Sequence, residues 1–307
     1  MAAFAASCAH PAGHQPGEDD AGLGSRPPEQ PFFANPPAWR PICQGIEYAE
    51  LAYDKPRAMA VQLLRIDTEA DGLEIITTPS NGDEPLETNA QTTRQFLEEH
   101  DLSVAINTHF FDPCCSRVLG EDKNLIGLSI AQSEVVSPAS DSSQPDAIFF
   151  TRRQDADTPA IKAIPWPAAM FVSFEEDPEV SHAIAGRMVL DDGELFNGDD
   201  RLSTELHPRT LVGLSESGRY IYLVTIDGRQ PGFSTGASLA EAASIMYFVG
   251  ARHALNVDGG GSTTMIIRDA AGASQLANSP SDGAERYVGS NLGLRAVPLQ
   301  PEAGAGP

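Results

Sequence analysis

Leu255-Asn256-Val257-Asp258-Gly259-Gly260-Gly261-Ser262-Thr263-Thr264-Met265, running on into Ile266 and Ile267, reads as strand, tight polar loop, strand. Three consecutive glycines are costly, because glycine loses more backbone freedom on folding than any other residue. A chain keeps them where no side chain fits or where backbone must approach a ligand. Asp258 then stands at the lip of a strand, beside exposed amides and the hydroxyls of Ser262, Thr263 and Thr264. The loop is no dinucleotide fingerprint, since a strand and not a helix follows it, and it lacks the Gly-Lys-Ser/Thr of a phosphate loop. Nor is it the Gly-x-Ser-x-Gly elbow of hydrolases.

Working outward, residues 210–215 and 219–226 form an expected hairpin across Glu216-Ser217-Gly218. Residues 238–249 read as a helix: Ser238 and Glu241 make a capping box, and Leu239, Ala242, Ala243, Met246 and Val249 share one face. Gly250 ends it, and residues 253–257 form the strand that delivers Asp258. Residues 287–297 read as the last strand.

In the first half, residues 59–67 and 72–78 are strand-like and 92–100 a short helix. Residues 104–106 form a buried strand ending at Asn107, and 125–131 and 147–151 are further strand candidates. Residues 155–200 read as an irregular loop with short strands near 169–174 and 187–190. Strands outnumber helices and several neighbours are hairpin-joined. The expected class is therefore α+β, with a mixed, largely antiparallel sheet and a few packed helices.

The 307-residue chain is long enough for a sizeable core. It carries 43 acidic against 20 basic residues, a formal net charge of −23, which disfavours nucleic acid and anionic membranes as partners. A phosphate-bearing small substrate stays open, because charges beyond about 10 Å are screened and a local arginine pair can dominate. There is no apolar run of about 20 residues to span a membrane. Cys8, Cys43, Cys114 and Cys115 form no Cys-x-x-Cys pair, so a structural zinc site is not expected. A bridge from Cys43 to Cys114 or Cys115 and four free thiols are equally weighted alternatives. Ala5-Ala6-Ser7-Cys8 is lipobox-like, and the Pro- and Gly-rich stretch to residue 41 reads as a signal remnant or flexible tether. The expected organisation is thus 1–41 tether, 42–299 domain and 300–307 tail. Export with a lipid anchor at Cys8 is the expected localisation, with a cytoplasmic chain as the alternative.

Polar clusters sit at the strand ends: Asn107, His109 and Asp112; His207 and Arg209; Asp227 and Arg229; 258–264; and 281–286, with Glu285 and Arg286. Carboxylates, arginines and glycine-loop amides together suit an anionic or sugar substrate. Each has a plainer reading. Asp-Gly pairs are turn formers, Arg209 fits a surface ion pair, His109 a core histidine, Asn107 a turn cap, and Glu285 with Arg286 a private pair. No cofactor is called for. A calcium ion held by scattered acids stays open, because oxygen ligands need no fixed spacing.

Four blocks carry a resemblance: His207-Pro208-Arg209-Thr210, Val224 through Arg229, Leu255 through Met265, and Pro280 through Arg286. In order and spacing they resemble the phosphodiester glycosidase family, strongly over 205–297 and moderately over 60–130. There, Ala105-Ile106-Asn107-Thr108-His109-Phe110-Phe111 is similar to the family's Asn-Gly-Gly-Phe-Phe segment. Thr108 and His109 replace small residues, and Ala284 stands where glycine is common. The resemblance implies hydrolysis of a sugar-1-phosphodiester such as an alpha-N-acetylglucosamine-1-phosphodiester. Asp258 would act with Asp227 or Glu285. Arg209 and Arg229 would grip phosphate with the Gly259, Gly260 and Gly261 amides. Asn107 and Ser262 would position sugar hydroxyls, and His109, His207, Thr263 and Arg286 would complete the binding set. The rival readings are an exported glycosidase acting on phosphate-free polysaccharide and a non-catalytic carbohydrate-binding envelope protein.

Overall fold

Strand alternation builds the described residues as two main sheets packed face to face with a helix on each outer face, and a small third sheet of Thr88–Asn89, Asp122–Leu125 and Phe111–Asp112. The computed structural model describes residues 36–115, 118–139, 144, 146–152, 161–167, 180–195 and 204–299. Cys8, most of the tether, the expected strand at 169–174 and the 300–307 tail lie outside the described residues.

The main path of the larger sheet runs in the order Arg40–Cys43, Ile46–Tyr53, Met59–Asp67, Tyr220–Ile226, Arg209–Leu214, His253–Asn256, Val180–Asp191, Asp146–Arg152 and Ile161–Pro167. The smaller sheet runs Ser274–Leu276, Met265–Arg268, Val104–Asn107, Asn291–Arg295 and Glu74–Thr77. Successive side chains in a strand point to opposite faces, and the core sorts accordingly. Leu64, Ile66, Val212, Leu223 and Leu255 meet Val104, Ile106, Met265, Leu292 and Leu294 between the sheets. Their neighbours Val61, Leu63, Leu211 and Val224 turn outward, onto Ala242, Ile245 and Met246 of the helix Leu239–Val249. On the opposite outer face Ala105 and Ile266 pack under Phe96 and Leu97 of the short helix Thr93–Glu99. Both helices start with the reciprocal capping box, Thr92 with Gln95 and Ser238 with Glu241.

The expected α+β class with a mixed sheet is overturned. The described residues are 45% strand and 10% helix, and every strand pairing among them is antiparallel. The physical reason is that each helix only lids one outer face, whereas the interior is sheet against sheet. Much of the supposed loop at 155–200 is strand, including the 12-residue Val180–Asp191. That strand pairs with Asp146–Arg152 on one side and with His253–Asn256 on the other. The expected strand at 125–131 is two, Asp122–Leu125 and Ser129–Ala131. Cys114 bonds to Cys115, and Cys43 is buried and free, so no bridge joins it to either.

Register sets where the site lies. Arg209 opposes Ile226 and Leu211 opposes Asn256 in the large sheet. Ile106 opposes Met265 and Asn107 opposes Asn291 in the small one. The residues just past these strand ends therefore gather at one rim of the sandwich. There Asp258 donates its amide to the Thr108 carbonyl at 2.7 Å and joins the two sheets.

Candidate active site

Asn107, fully buried, is the hub of that rim. Its Nδ2 donates to the Asp258 carbonyl at 2.6 Å. Its Oδ1 accepts from the Thr210 hydroxyl at 2.8 Å and the Thr264 amide at 3.0 Å. One side chain thus ties both sheets to both ends of the glycine loop.

The loop makes one short 3-10 turn, Gly260–Ser262. Gly260 has φ +62°, and a Cβ there would sit 3.0 Å from Arg229 Nη1. A Cβ on Gly261 would collide with the Arg286 guanidinium and with Asp282. The glycines therefore exist partly to let two guanidinium groups lie against bare backbone. Ser262 and Thr263 are buried, and neither hydroxyl makes a hydrogen bond of standard geometry. The Ser262 hydroxyl still faces the Asp258 carboxyl; the Thr263 hydroxyl is the uncommon case of a buried polar group with no partner among the described residues.

The three expected carboxylates fare differently. Asp258 is half-buried, and burial lifts its carboxyl to about 7. Nearby Ser262, the Arg286 charge and the Gly259 amide act in the opposite direction. Asp227 is 1% exposed. Its Oδ1 accepts from the Ser279 amide at 2.9 Å and Asn278 at 3.1 Å, and its Oδ2 accepts from Gln62 at 3.3 Å. Burial raises its pKa and these donors counter the rise. Glu285 is fastened to the start of the short helix, accepting from the Arg94 amide at 3.0 Å and its Nε at 2.8 Å.

These features can be set beside known proteins. The sequence profile described as phosphodiester glycosidase matches residues 100–295. The chain belongs to the phosphodiester glycosidase family. It matches no curated protein. Among solved structures it is similar in fold to the zebrafish N-acetylglucosamine-1-phosphodiester alpha-N-acetylglucosaminidase catalytic domain auto-inhibited by its pro-peptide. There the identity is 17%, the TM-score 0.59, and 86% of this chain and 85% of that one are covered. A hypothetical protein from Synechocystis shares 14% identity at TM-score 0.56, with 83% of this chain covered and 64% of that one, just under two thirds of its length. A protein of Burkholderia pseudomallei K96243, named as a candidate exported protein, shares 16% identity at TM-score 0.55, covering 78% of this chain and 74% of that one. Among the described residues no helix is long and apolar enough to cross a membrane.

The arginines and histidines of this phosphodiester glycosidase family member divide sharply. Arg209 is 6% exposed and turned inward, with Nε donating to the Ala237 carbonyl at 3.0 Å and Nη2 to the Glu205 carbonyl at 2.9 Å. Arg229 is exposed, at φ +58°, and has no carboxylate partner among the described residues; its Nη2 lies 3.2 Å from His207 Nδ1. A bulky residue held at positive φ marks backbone constrained from outside itself, a feature that clusters at binding sites. His207 Nε2 in turn lies 3.1 Å from Glu205 Oε2. Arg286 pairs with Asp282 at 2.6 Å and reaches Cys115 Sγ at 3.6 Å.

His109 is fully buried, and burial depresses its pKa to about 4, so the ring is neutral. Its Nε2 lies 2.9 Å from the Leu128 carbonyl and 3.0 Å from the Ala185 amide, and its Nδ1 lies 3.2 Å from Ser290 Oγ. This side chain, where the family resemblance expects a small residue, locks the two sheets together behind the rim. Gln62, Arg94, Asn278 and Ser279 give no sequence signal as site residues, because each joins the site only through contacts from 51 to 191 residues away. Among the described residues no group of three or more His, Cys, Asp or Glu could hold a metal ion.

Proposed function

We propose that the protein hydrolyses the glycosidic bond of a sugar-1-phosphodiester, releasing the free sugar and a phosphomonoester. The observation that carries this reading is Asp258. It is a carboxyl raised to about 7, on a glycine loop against which the Arg229 and Arg286 guanidinium groups lie. Both arginines grip the phosphate, Arg229 held in place by His207. Guanidinium groups suit phosphate because their paired N–H donors match its oxygens. The Gly261 amide adds a donor, whereas the Gly260 amide is spent on the Pro208 carbonyl and the Gly259 amide on Asp258; the Ser262 and Thr263 hydroxyls meet the sugar.

Asp258 acts as base. It takes a proton from water as the water oxygen bonds to the sugar C1. The C1–O bond breaks, and its electron pair leaves on the phosphate oxygen. Phosphate leaves without being protonated first, so one working carboxylate suffices. A base poised near the working pH is the efficient choice. Asn107, Asp227, Glu285, His109 and Arg209 hold the loop and the arginines in position.

The test compares folded wild type and Asp258→Asn on alpha-N-acetylglucosamine-1-phosphodiesters and on phosphate-free glycosides. Turnover of the phosphodiesters, lost in the variant, is expected. Turnover of plain glycosides alone, or sugar binding with no turnover, would overturn the reading.

A further inference from the structure

Seven large apolar side chains are exposed among the described residues, and four of them stand on the segments that carry or touch the two site arginines. Leu206, 39% exposed, precedes His207, and Phe233, 49% exposed, sits on the turn that begins at Arg229. Val118 and Leu119 follow three and four residues after Cys115, which Arg286 touches. Scattered exposed apolar groups are ordinary; Leu206 and Phe233 differ in that they flank, in sequence, the contact between His207 and Arg229.

The turn under Phe233 is also pinned. The Phe233 amide donates to the Gln230 carbonyl at 3.0 Å and the Gln230 amide to the Ser234 carbonyl at 2.9 Å. Gln230 Nε2 donates to the Ser279 carbonyl at 2.7 Å, and the Ser279 hydroxyl returns a bond to Gln230 Oε1 at 2.9 Å. The Ser234 hydroxyl donates to the Asp227 carbonyl. Such a turn holds the aromatic ring in the open at little entropic cost when a ligand arrives, which is how a preformed binding surface is made.

Resting on the proposed function, we infer that the group attached through the substrate's phosphate is apolar, aromatic or alkyl, and that Phe233 and Leu206 receive it beside Arg229. The arginines neutralise the phosphodiester while the apolar pair covers what hangs from it.

The experiment measures kcat/KM for sugar-1-phosphodiesters, built on N-acetylglucosamine and on glucose, that differ only in the group beyond phosphate: phenyl, octyl, methyl or a second sugar. Wild type should prefer phenyl or octyl over methyl by about tenfold or more, a ratio consistent with burying one apolar group. F233A and L206A should each pull that ratio toward one, and F233W should keep it, with melting curves confirming the fold. The phenyl and octyl arms separate an aromatic from an aliphatic leaving group. Equal rates across the series, or a preference for the second sugar, would overturn the inference and leave the phosphodiester glycosidase reading standing. An unchanged ratio in F233A and L206A with a changed sedimentation coefficient would overturn it too, by making the patch a contact between copies. No turnover of any member of the series would instead sink the proposed function.

Discussion

Asp227-Gly228 and Asp258-Gly259 are the same dipeptide at the ends of two strands of one sheet, and they do opposite things. Both carboxyls are pushed upward by burial. Asp227 is answered by three donors from two distant segments, which makes it a knot joining Gln62, Asn278 and Ser279 to the strand end. Asp258 faces a hydroxyl and a partly spent guanidinium, so its proton stays mobile near neutral pH. A turn signal locates a carboxylate; the donors the fold brings to it decide whether it braces or reacts.

The largest break in this comparison is Asp258→Asn. With the fold kept, the rate on a sugar-1-phosphodiester should drop about 10²–10⁴-fold, the usual size for removing a positioned acid or base. Near-full activity in a folded Asp258→Asn protein would move the chemistry elsewhere. Asp227→Ala should act on stability instead. It strands the Ser279 amide, Asn278 and Gln62, and a buried donor without a partner costs about 1–3 kcal/mol. A loss of roughly 3 kcal/mol is expected in urea unfolding. Unchanged stability with abolished turnover would make Asp227 the second working carboxylate.

How much of this was legible in sequence follows the range of the interactions. Strands such as Met59–Asp67 and the capped helix Leu239–Val249 declare themselves through local period and caps, and both stand as expected. Ile46–Tyr53 mixes Glu, Ala, Leu and Tyr without clear alternation and was not recognised as a strand. Val180–Asp191 lies inside an acid- and proline-rich region whose sequence predicts an irregular loop with a short strand only near 187–190, and its full length as a strand comes from neighbours on both sides. At the site, the glycine loop was readable because glycine runs are expensive. The division of labour between Arg209 and Arg229 was not. Nothing local says that Arg209 finds the carbonyls of Ala237 and Glu205 while Arg229 finds bare Gly260.

That second pair sharpens the first. Arg229→Ala should lower kcat/KM on phosphodiesters by about 10–100-fold, the value of a charge-assisted grip. The melting temperature should barely move, because the side chain is exposed. Arg209→Ala should do the reverse first, lowering the melting temperature by leaving two carbonyls unanswered at the rim. If Arg209→Ala kept its stability and lost phosphate-dependent activity, the two arginines would share one role after all.

The smallest expected effect tests the electrostatics of Asp258 without any substrate. Its carboxyl, raised to about 7, holds a proton more tightly folded than unfolded. Between the ordinary carboxylate range and about pH 7 the folded state therefore binds more protons, and stability falls as pH rises through that window. Asp258→Asn has no such proton to lose. At pH 8 it should melt a few degrees above wild type, the shift expected when a domain of this size gains about 1 kcal/mol. Near pH 4 the two melting curves should meet. The partial exposure of the side chain keeps the shift small. Activity of the wild type should rise across the same pH range, since only the ionised carboxylate can take a proton from water. A site in which stability falls just where activity appears is one whose charge is kept for work. The same substitution at Asp227 should show no gain at pH 8, because there an amide nitrogen replaces an oxygen that Gln62 needs as acceptor.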